Sequence, residues 1–360
     1  MISTLIAGAA NPHINGYMRS KGQGQFHFAA VADHSKERLQ NARKFLAEEA
    51  QYFSSWREMF DRFPHAEAVI IGTDNCEHLE VFREAVERKL HIYMMKVISM
   101  DEKECRTMLE LEKGYEKVIQ VEFELHFRPQ FLYAKKLIES GKLGKLKSIY
   151  LSNISQSPCN YFPNWGTPEL SYGRKMPIKP GSQVCRGGGL TDHPHPYDMI
   201  RWLTGKEFKT VFAVSSRNQR THLAVEDNVV VSGTLTDGTA YMINPSYAHL
   251  EERVPERRLI WPKALECNLK LTGERGYFSC DFDQFPMFAC GSGFASPNRY
   301  MLTSWPEVLA AKNLNMLNCF YECITGKRQK PESVLNDSYQ AVRVMNAAYE
   351  SIYRNAVVTL

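Results

Sequence analysis

The sequence predicts an α/β chain in two domains: a parallel-sheet domain over residues 1–120 and a domain over 121–360 built on an open, mainly antiparallel sheet. Three observations lead there. Up to about residue 120, short β-rich runs alternate with helical patterns, the pattern of βαβ units and a parallel sheet. Beyond it, strand-like runs follow one another across irregular stretches, as in an antiparallel sheet. The length of 360 residues also exceeds the roughly 100–200 of a usual domain.

The elements follow in order. Residues 2–7 read as a buried strand ending at Gly8, with a helix from about His13. Phe26 to Ala32 is a second strand ending at Asp33, and Lys36 to Glu49 has helical composition. Ala68–Ile71 is a third strand, followed by Gly72-Thr73-Asp74-Asn75. Leu79, Phe82, Val86 and Leu90 then recur at helical spacing, with Val81 and Ala85 widening the stripe. His91 to Met95 is another strand reaching Lys96, and Ser99 with Glu102 forms a capping box for a helix through Leu111. In the second domain Val121 to Phe127 reads as a strand and Pro129 to Ile138 as a helix stopped by Gly141. Strands are expected at 146–154, 209–216, 228–235, 239–245, 268–272 and 277–281, with a hairpin turn at Asp237-Gly238. Helices return at 306–324 and 333–354, the last of them able to pack back on the first domain.

Composition excludes several classes. The formal charge of +4 is small for this length and the basic residues are dispersed, which argues against a nucleic-acid partner. Nine cysteines are scattered without C-x-x-C spacing, so no zinc knuckle or redox motif is expected. Free thiols fit a reducing compartment. The opening apolar run is too short for a signal sequence, and no stretch is long enough to span a bilayer. These features predict a cytoplasmic protein without a membrane partner.

The residues that could carry chemistry fall at strand ends, where ligands bind in parallel sheets. Gly8-Ala9-Ala10-Asn11-Pro12-His13 is a degenerate dinucleotide turn: Gly8 can make the bend and Ala10 is small enough to admit a pyrophosphate, but His13 occupies the third small position. A plain βα turn would carry the same residues. Asp33, about 20–25 residues on, can accept from ribose hydroxyls and repel a 2′-phosphate, favouring NAD over NADP; it could equally cap a helix. Lys96 could bond a substrate hydroxyl, or snorkel as an ordinary strand-end lysine. Gly187-Gly188-Gly189-Leu190-Thr191-Asp192-His193-Pro194-His195-Pro196-Tyr197-Asp198 gathers two imidazoles and two carboxylates ahead of an apolar run. Such a cluster suits proton transfer, although two imidazoles in a capping turn would look alike. The stretch 155–189 is rich in Pro, Gly and Ser and has the length of a functional loop.

Taken in order, Gly8, Asp33, Thr73-x-Asn75-x-x-His78, Lys96, Gly187-Gly188-Gly189 and His195-x-x-Asp198 resemble the Gfo/Idh/MocA family. Ile138-Glu139-Ser140-Gly141-Lys142-Leu143-Gly144, Val225-Glu226-Asp227-Asn228 and Ala347-Ala348-Tyr349-Glu350-Ser351 extend the likeness over nearly the whole chain. The resemblance implies a Rossmann domain followed by an α+β domain with an open sheet, and a nicotinamide-dependent oxidation of a sugar or cyclitol alcohol, or the reverse. It implies Lys96, His195 and Asp192 as catalytic residues, with Gly8, Ala10, Asn11, Asp33, Thr73, Asn75, His78 and Lys96 around the cofactor. Three positions depart from the family pattern. Met95-Lys96-Val97 stands for its E-K-P triplet, Asp192 lies six rather than seven residues before Asp198, and His126 replaces a common arginine.

The expected function is an NAD-dependent dehydrogenase for a secondary hydroxyl of a sugar, cyclitol or glycoside. His126, Tyr161, Trp165, Arg174 and His193 are candidate substrate contacts, together with Asn160 and Tyr172. One alternative is a glycoside-cleaving enzyme that oxidises transiently and eliminates the aglycone. Another is a non-catalytic sensor of NAD and sugar. A metal site from Asp192, His193, His195 and Asp198 is not expected, because no distant ligand set accompanies them. An exposed face of the second sheet would favour a homodimer or homotetramer.

Overall fold

The structure is a computed structural model that describes residues 1–11, 13–20, 24–46, 50–155, 172–218, 223–247, 265–281, 287–290, 298–300 and 316–360. The chain forms two compact units, Met1–Glu124 with Leu309–Tyr339, and Leu125–Val308 with Gln340–Leu360. A single boundary at 120 lies beside the first crossing and leaves out the return over 309–339; the last crossing falls inside the helix Leu335–Arg354.

The first unit holds a six-stranded sheet of β1 (Ile2–Ala7), β2 (Phe26–Ala32), β3 (Gln51–Phe53), β4 (Ala68–Ile71), β5 (His91–Met94) and β6 (Ile119–Val121), in the order β3-β2-β1-β4-β5-β6. Every pairing is parallel. The winding reverses between β1 and β4, and in sheets of this kind ligands bind beyond the carboxyl ends at that reversal. Strands buried on both faces read as continuous apolar runs, as in Leu5-Ile6-Ala7 and Val69-Ile70-Ile71.

Four local expectations are corrected. The helix His78–Glu87 buries His78, Val81, Phe82 and Ala85, so its core stripe is turned from the one centred on Leu79 and Val86; a histidine whose nitrogens meet backbone carbonyls packs as a core residue. The helix Glu102–Glu112 is capped by Asp101, whose carboxylate accepts the Lys103 N–H at 2.7 Å, while Ser99 donates to Glu104 instead of boxing with Glu102. The run at 121–127 is not a strand: β6 stops at Val121 and Glu124–Phe127 is a 3₁₀ turn. The edge strand β3 and the helix Trp56–Arg62 are too short for periodicity to announce.

The second unit holds a ten-stranded sheet of β7 (Leu146–Ser155), β8 (Phe208–Ser215), β9 (Val229–Leu235), β10 (Ala240–Ser246), β11 (Leu265–Glu266), β12 (Leu269–Gly273), β13 (Gly276–Cys280), β14 (Met287–Cys290), β15 (Asn298–Tyr300) and β16 (Val358–Thr359). The order is β15-β14-β13-β12-β7-β10-β9-β8-β16, with β11 beside β7. Only β7 with β10 is parallel among the described pairings. Gly238, with φ of 88°, closes the β9–β10 hairpin by donating to the Leu235 carbonyl. Ile149, Leu151, Val211, Val231, Ile243 and Leu271 are buried, whereas Val214 and Met242, one residue out of phase with these rows, are 47% and 44% exposed.

Candidate active site

In the first unit the chain turns after β1 at Gly8, whose φ of 92° lies in the left-handed region open to glycine. A Cβ there would stand 2.2 Å from the Thr73 amide nitrogen, so this turn and the one after β4 press backbone to backbone. The Ala10 N–H donates to the Gly72 carbonyl at 3.0 Å. Asp33 follows β2 and is buried. Its Oδ2 accepts the Ala9 N–H at 2.8 Å and its Oδ1 the Ser35 N–H at 2.8 Å. The carboxylate therefore fastens the glycine turn. Buried Arg38 forks onto Asp74 at 3.2 and 3.3 Å and lies 3.7 Å from Asp33.

Thr73 is buried, and its hydroxyl oxygen has no hydrogen-bond partner among the described residues. Asn75 is half-buried in a 3₁₀ turn, and Asn11 spends its side-chain oxygen on the His13 N–H at 2.9 Å. His78 is wholly buried, with Nε2 3.1 Å from the Thr73 carbonyl and Nδ1 3.0 Å from that of Val97. Burial holds this imidazole below its ordinary pKa, against the opposite pull of the carbonyls. It ties the loops after β4 and β5 together. Lys96 is half-buried in the second of these loops, and the Lys96–Val97 peptide is cis.

His13, in the third small position of the turn, points its Nδ1 at Glu122 Oε1, 2.7 Å away. The Tyr17 hydroxyl donates to the same oxygen at 2.5 Å. Among the described residues, His13, Glu122 and Glu124 are the group whose donor atoms gather as a cation site would require, within 4.8 Å of one another. Glu122 Oε1 is taken up by the imidazole and the phenol, so the group reads as an internal acid–base pair.

In the second unit, the triple glycine lies against the residues ahead of β9. A Cβ on Gly188 would stand 1.9 Å from the Glu226 carbonyl oxygen, and one on Gly189 2.9 Å from that of Pro245. Glu226 is wholly buried. Its Oε1 accepts the Gly188 N–H at 3.1 Å, the Leu190 N–H at 3.2 Å and the Tyr349 hydroxyl at 2.7 Å. Tyr349 also meets the Thr191 hydroxyl at 2.8 Å and accepts the Gly187 N–H at 3.1 Å. The short helix Gly189–Asp192 ends at half-buried Asp192, and His195 opens the helix His195–Thr204. His193 and His195 are both nearly buried, and His193 Nε2 is 3.1 Å from the Ser155 hydroxyl.

The geometry sorts the remaining expectations. His126 is buried, stacked on Trp202 with ring centroids 4.5 Å apart, and its Nε2 lies 2.6 Å from Asp198. It packs against the helix that His195 opens and bonds to it through Asp198. Arg174 is exposed. Tyr161 and Trp165 lie outside the described residues, as does Asn160. Arg38 was not singled out by the sequence reading, and Glu226 and Tyr349 stood in motifs of the resemblance without an assigned role. The acidic Val225-Glu226-Asp227 run was visible, but its partner glycine lies 38 residues away.

A dinucleotide suits the first unit's edge. The turn after β1 runs backbone against backbone at Gly72–Thr73 and leads into the helix His13–Ser20, and the buried Thr73 hydroxyl has no hydrogen-bond partner among the described residues. Residues 2–123 match the oxidoreductase family with an NAD-binding Rossmann fold, and residues 131–279 match the GFO/IDH/MocA C-terminal domain. A myo-inositol 2-dehydrogenase of Thermotoga maritima is 25% identical over 52% of this chain and 50% of its own length. A levoglucosan dehydrogenase of Pseudarthrobacter phenanthrenivorans is 31% identical over 49% of this chain and 41% of its own. The chain thus aligns with half or less of the length of these two relatives. Among solved structures, a levoglucosan dehydrogenase in complex with NADH and levoglucosan superposes with a TM-score of 0.80 at 20% identity, covering 99% of each chain. No described helix is long and apolar enough to cross a membrane. With both domain matches in sequence order on one chain, and the expected sheets beneath them, this protein belongs to the Gfo/Idh/MocA oxidoreductases and its first unit is an NAD-binding Rossmann domain.

Proposed function

We propose that the protein is an NAD-dependent dehydrogenase that moves hydride between nicotinamide and a secondary hydroxyl, or the matching ketone, of a sugar, cyclitol or glycoside. One observation carries this reading: a chain with an NAD-binding Rossmann domain holds an amine just past β5, at Lys96, and an imidazole opening a helix of its second unit, at His195. The named activities of the inositol and levoglucosan dehydrogenases support the substrate class.

Bound nicotinamide supplies the hydride acceptor or donor. Lys96 donates to the hydroxyl oxygen as negative charge develops, and His195 takes the proton. Asp192 orients His195 and balances its cation. Asp33 sets a preference for NAD, since a 2′-phosphate near it meets like charge. Val214 and Met242 on the outward rows of β8 and β10 support a homodimer or homotetramer.

The test is a panel of inositols, anhydrosugars, free sugars and glycosides incubated with NAD, read by NADH absorbance and by product mass. A ketone product with stoichiometric NADH is expected. Release of an aglycone without net NADH would replace the dehydrogenase by the eliminating enzyme. NAD binding without hydride exchange on any of them would leave a sensor.

A further inference from the structure

We propose that the ionised carboxylate of Glu226 is the positioning element of the His193–His195 segment, and that proton uptake by this group slackens the segment as pH falls. The proposal rests on His195 being the proton acceptor.

The geometry concentrates an unusual share of the segment's anchoring on one side chain. Residues 187–193 are tied to Tyr349 at Gly187 and Thr191, to Ser155 at His193, and to Glu226. The backbone bonds of the short helix run from Thr191 and Asp192 to the Gly188 carbonyl and from His193 to the Gly189 carbonyl. Each of those acceptor residues is held by Glu226. Its carboxylate takes the Gly188 N–H with both oxygens at 3.1 Å, and its own carbonyl takes the Gly189 N–H at 3.0 Å. Leu190 adds its N–H to Oε1. A shift of this carboxylate therefore moves Gly188, on whose carbonyl Thr191 and Asp192 hang, and Leu190; Gly189, on whose carbonyl His193 hangs, lies between these two. Pro194 and the helix that His195 opens follow directly.

The charge state matters because all the partners are donors. Two backbone N–H groups and the Tyr349 hydroxyl converge on the carboxylate, and bonds to an anion are roughly twice as strong as bonds to a neutral acid. A proton placed on either oxygen weakens every one of them and adds a donor where donors already crowd. Glu226 has no ion-pair partner among the described residues, and burial pushes its pKa up to about 7, while the bonds from Tyr349, Gly188 and Leu190 restrain the rise. The other ionisable groups that face it are Tyr349 on the last helix, Tyr172, and Tyr197 on the helix after His195, together with Arg186, which lies over the Tyr349 ring, and the adjoining Asp227. Burial pushes all three phenols further from neutrality, so they keep their charge state where Glu226 changes its own.

The experiment is an NMR titration of histidine Cε1–H resonances in the full-length protein from pH 5.5 to 9, without substrate, with His193→Asn and His195→Asn supplying the assignments. Wild type should show an inflection near pH 7 on the resonances of both residues, beyond each ring's own titration. Glu226→Gln, nearly isosteric and always neutral, should abolish that inflection. Tyr349→Phe removes a bond to the ionised form and should move it to higher pH. With an oxidisable polyol in hand, Glu226→Gln should lower kcat by at least about tenfold, the scale of one charge-assisted hydrogen bond, with the Kd for NAD unchanged. A folded Glu226→Gln protein that keeps the inflection overturns the proposal. If that variant does not fold, an inflection unmoved in Tyr349→Phe overturns it equally. Failure of the substrate panel with the titration behaving as expected would instead count against the assigned reaction and leave the coupling standing.

Discussion

The two glycine turns of this protein are built alike and differ in what the pinning acid does next. In the first unit Gly8 bends the chain after β1, and Asp33, at the end of the neighbouring strand, reaches over to take the Ala9 N–H. In the second, Gly188 and Gly189 bring the chain against the approach to β9, and Glu226 takes the N–H groups of Gly188 and Leu190. Both turns need glycine because backbone meets backbone at a distance that excludes a Cβ. The acids then diverge. Asp33 has a guanidinium 3.7 Å away, on Arg38, and lies at the strand ends where a cofactor is expected. Glu226 is wholly buried, and its carboxylate is bonded by backbone amides and the Tyr349 phenol. The same bond to a turn leaves one acid at a ligand-facing edge and turns the other into an internal strut.

The largest expected effects come from filling these turns. Gly188→Ala drives a methyl to 1.9 Å from the Glu226 carbonyl, a backbone atom that cannot swing aside. It should destabilise the second unit by roughly 3–5 kcal/mol, the range of severe steric defects. Gly8→Ala meets the Thr73 amide at 2.2 Å and should cost the first unit a comparable amount, with NAD binding lost as well. Calorimetry and NAD titration on both proteins separate the cases. If Gly188→Ala loses NAD binding while Gly8→Ala keeps it, the division of labour between the turns is wrong.

Next come the groups the turns carry. His195→Ala should lower turnover by roughly 10²–10⁴-fold with little change in NAD affinity, the usual range for a general base. His193→Ala should do less, because His193 spends Nε2 on Ser155 and packs its ring against Tyr247. Equal losses would mean that the shortened spacing between Asp192 and Asp198 has exchanged the two imidazoles. Lys96→Met keeps the volume and removes the charge, and should reduce turnover by at least about 10²-fold. Near-normal rates would take Lys96 out of the mechanism.

How far the sequence could reveal this design depends on how local each device is. The Gly8 turn, Asp33 and Lys96 follow strands whose apolar runs announce themselves, and the parallel pairing of the sheet follows from that alternation. Glu226 was visible only as one of several acids ahead of a strand, since its role depends on glycines 38 residues earlier and on Tyr349 in the last helix. Arg38 on the helix Lys36–Leu46 carries no sequence signal, since its partner Asp74 lies 36 residues away. His126 was placed by resemblance at a substrate position, and its stacking on Trp202 and bond to Asp198 join residues far apart in the sequence. His13 registered as a misfit because the spacing asked for a small residue; its partner Glu122 becomes adjacent only when β6 joins the sheet. Side chains matched across the fold leave no periodic trace.

The smallest effect is also the sharpest test of the comparison. Asp33→Asn keeps an acceptor for the Ala9 N–H, so the Gly8 turn should survive and the protein should remain folded. What it removes is the charge and the acceptor for the Ser35 N–H. A 2′-phosphate then meets no like charge at the end of β2, and Arg38, 3.7 Å away, loses one of its two carboxylate neighbours. The ratio of NADP to NAD affinity should rise by about tenfold, the scale expected when a single repulsive charge contact of roughly 1–2 kcal/mol is removed. Arg38 stays forked onto Asp74, which limits the gain, and Asp33→Asn with Asp74→Asn should extend it. Titrating both cofactors into the three proteins decides the matter. If the ratio does not move in Asp33→Asn while NAD affinity collapses, Asp33 is a strut for its turn and does not read the cofactor's phosphate.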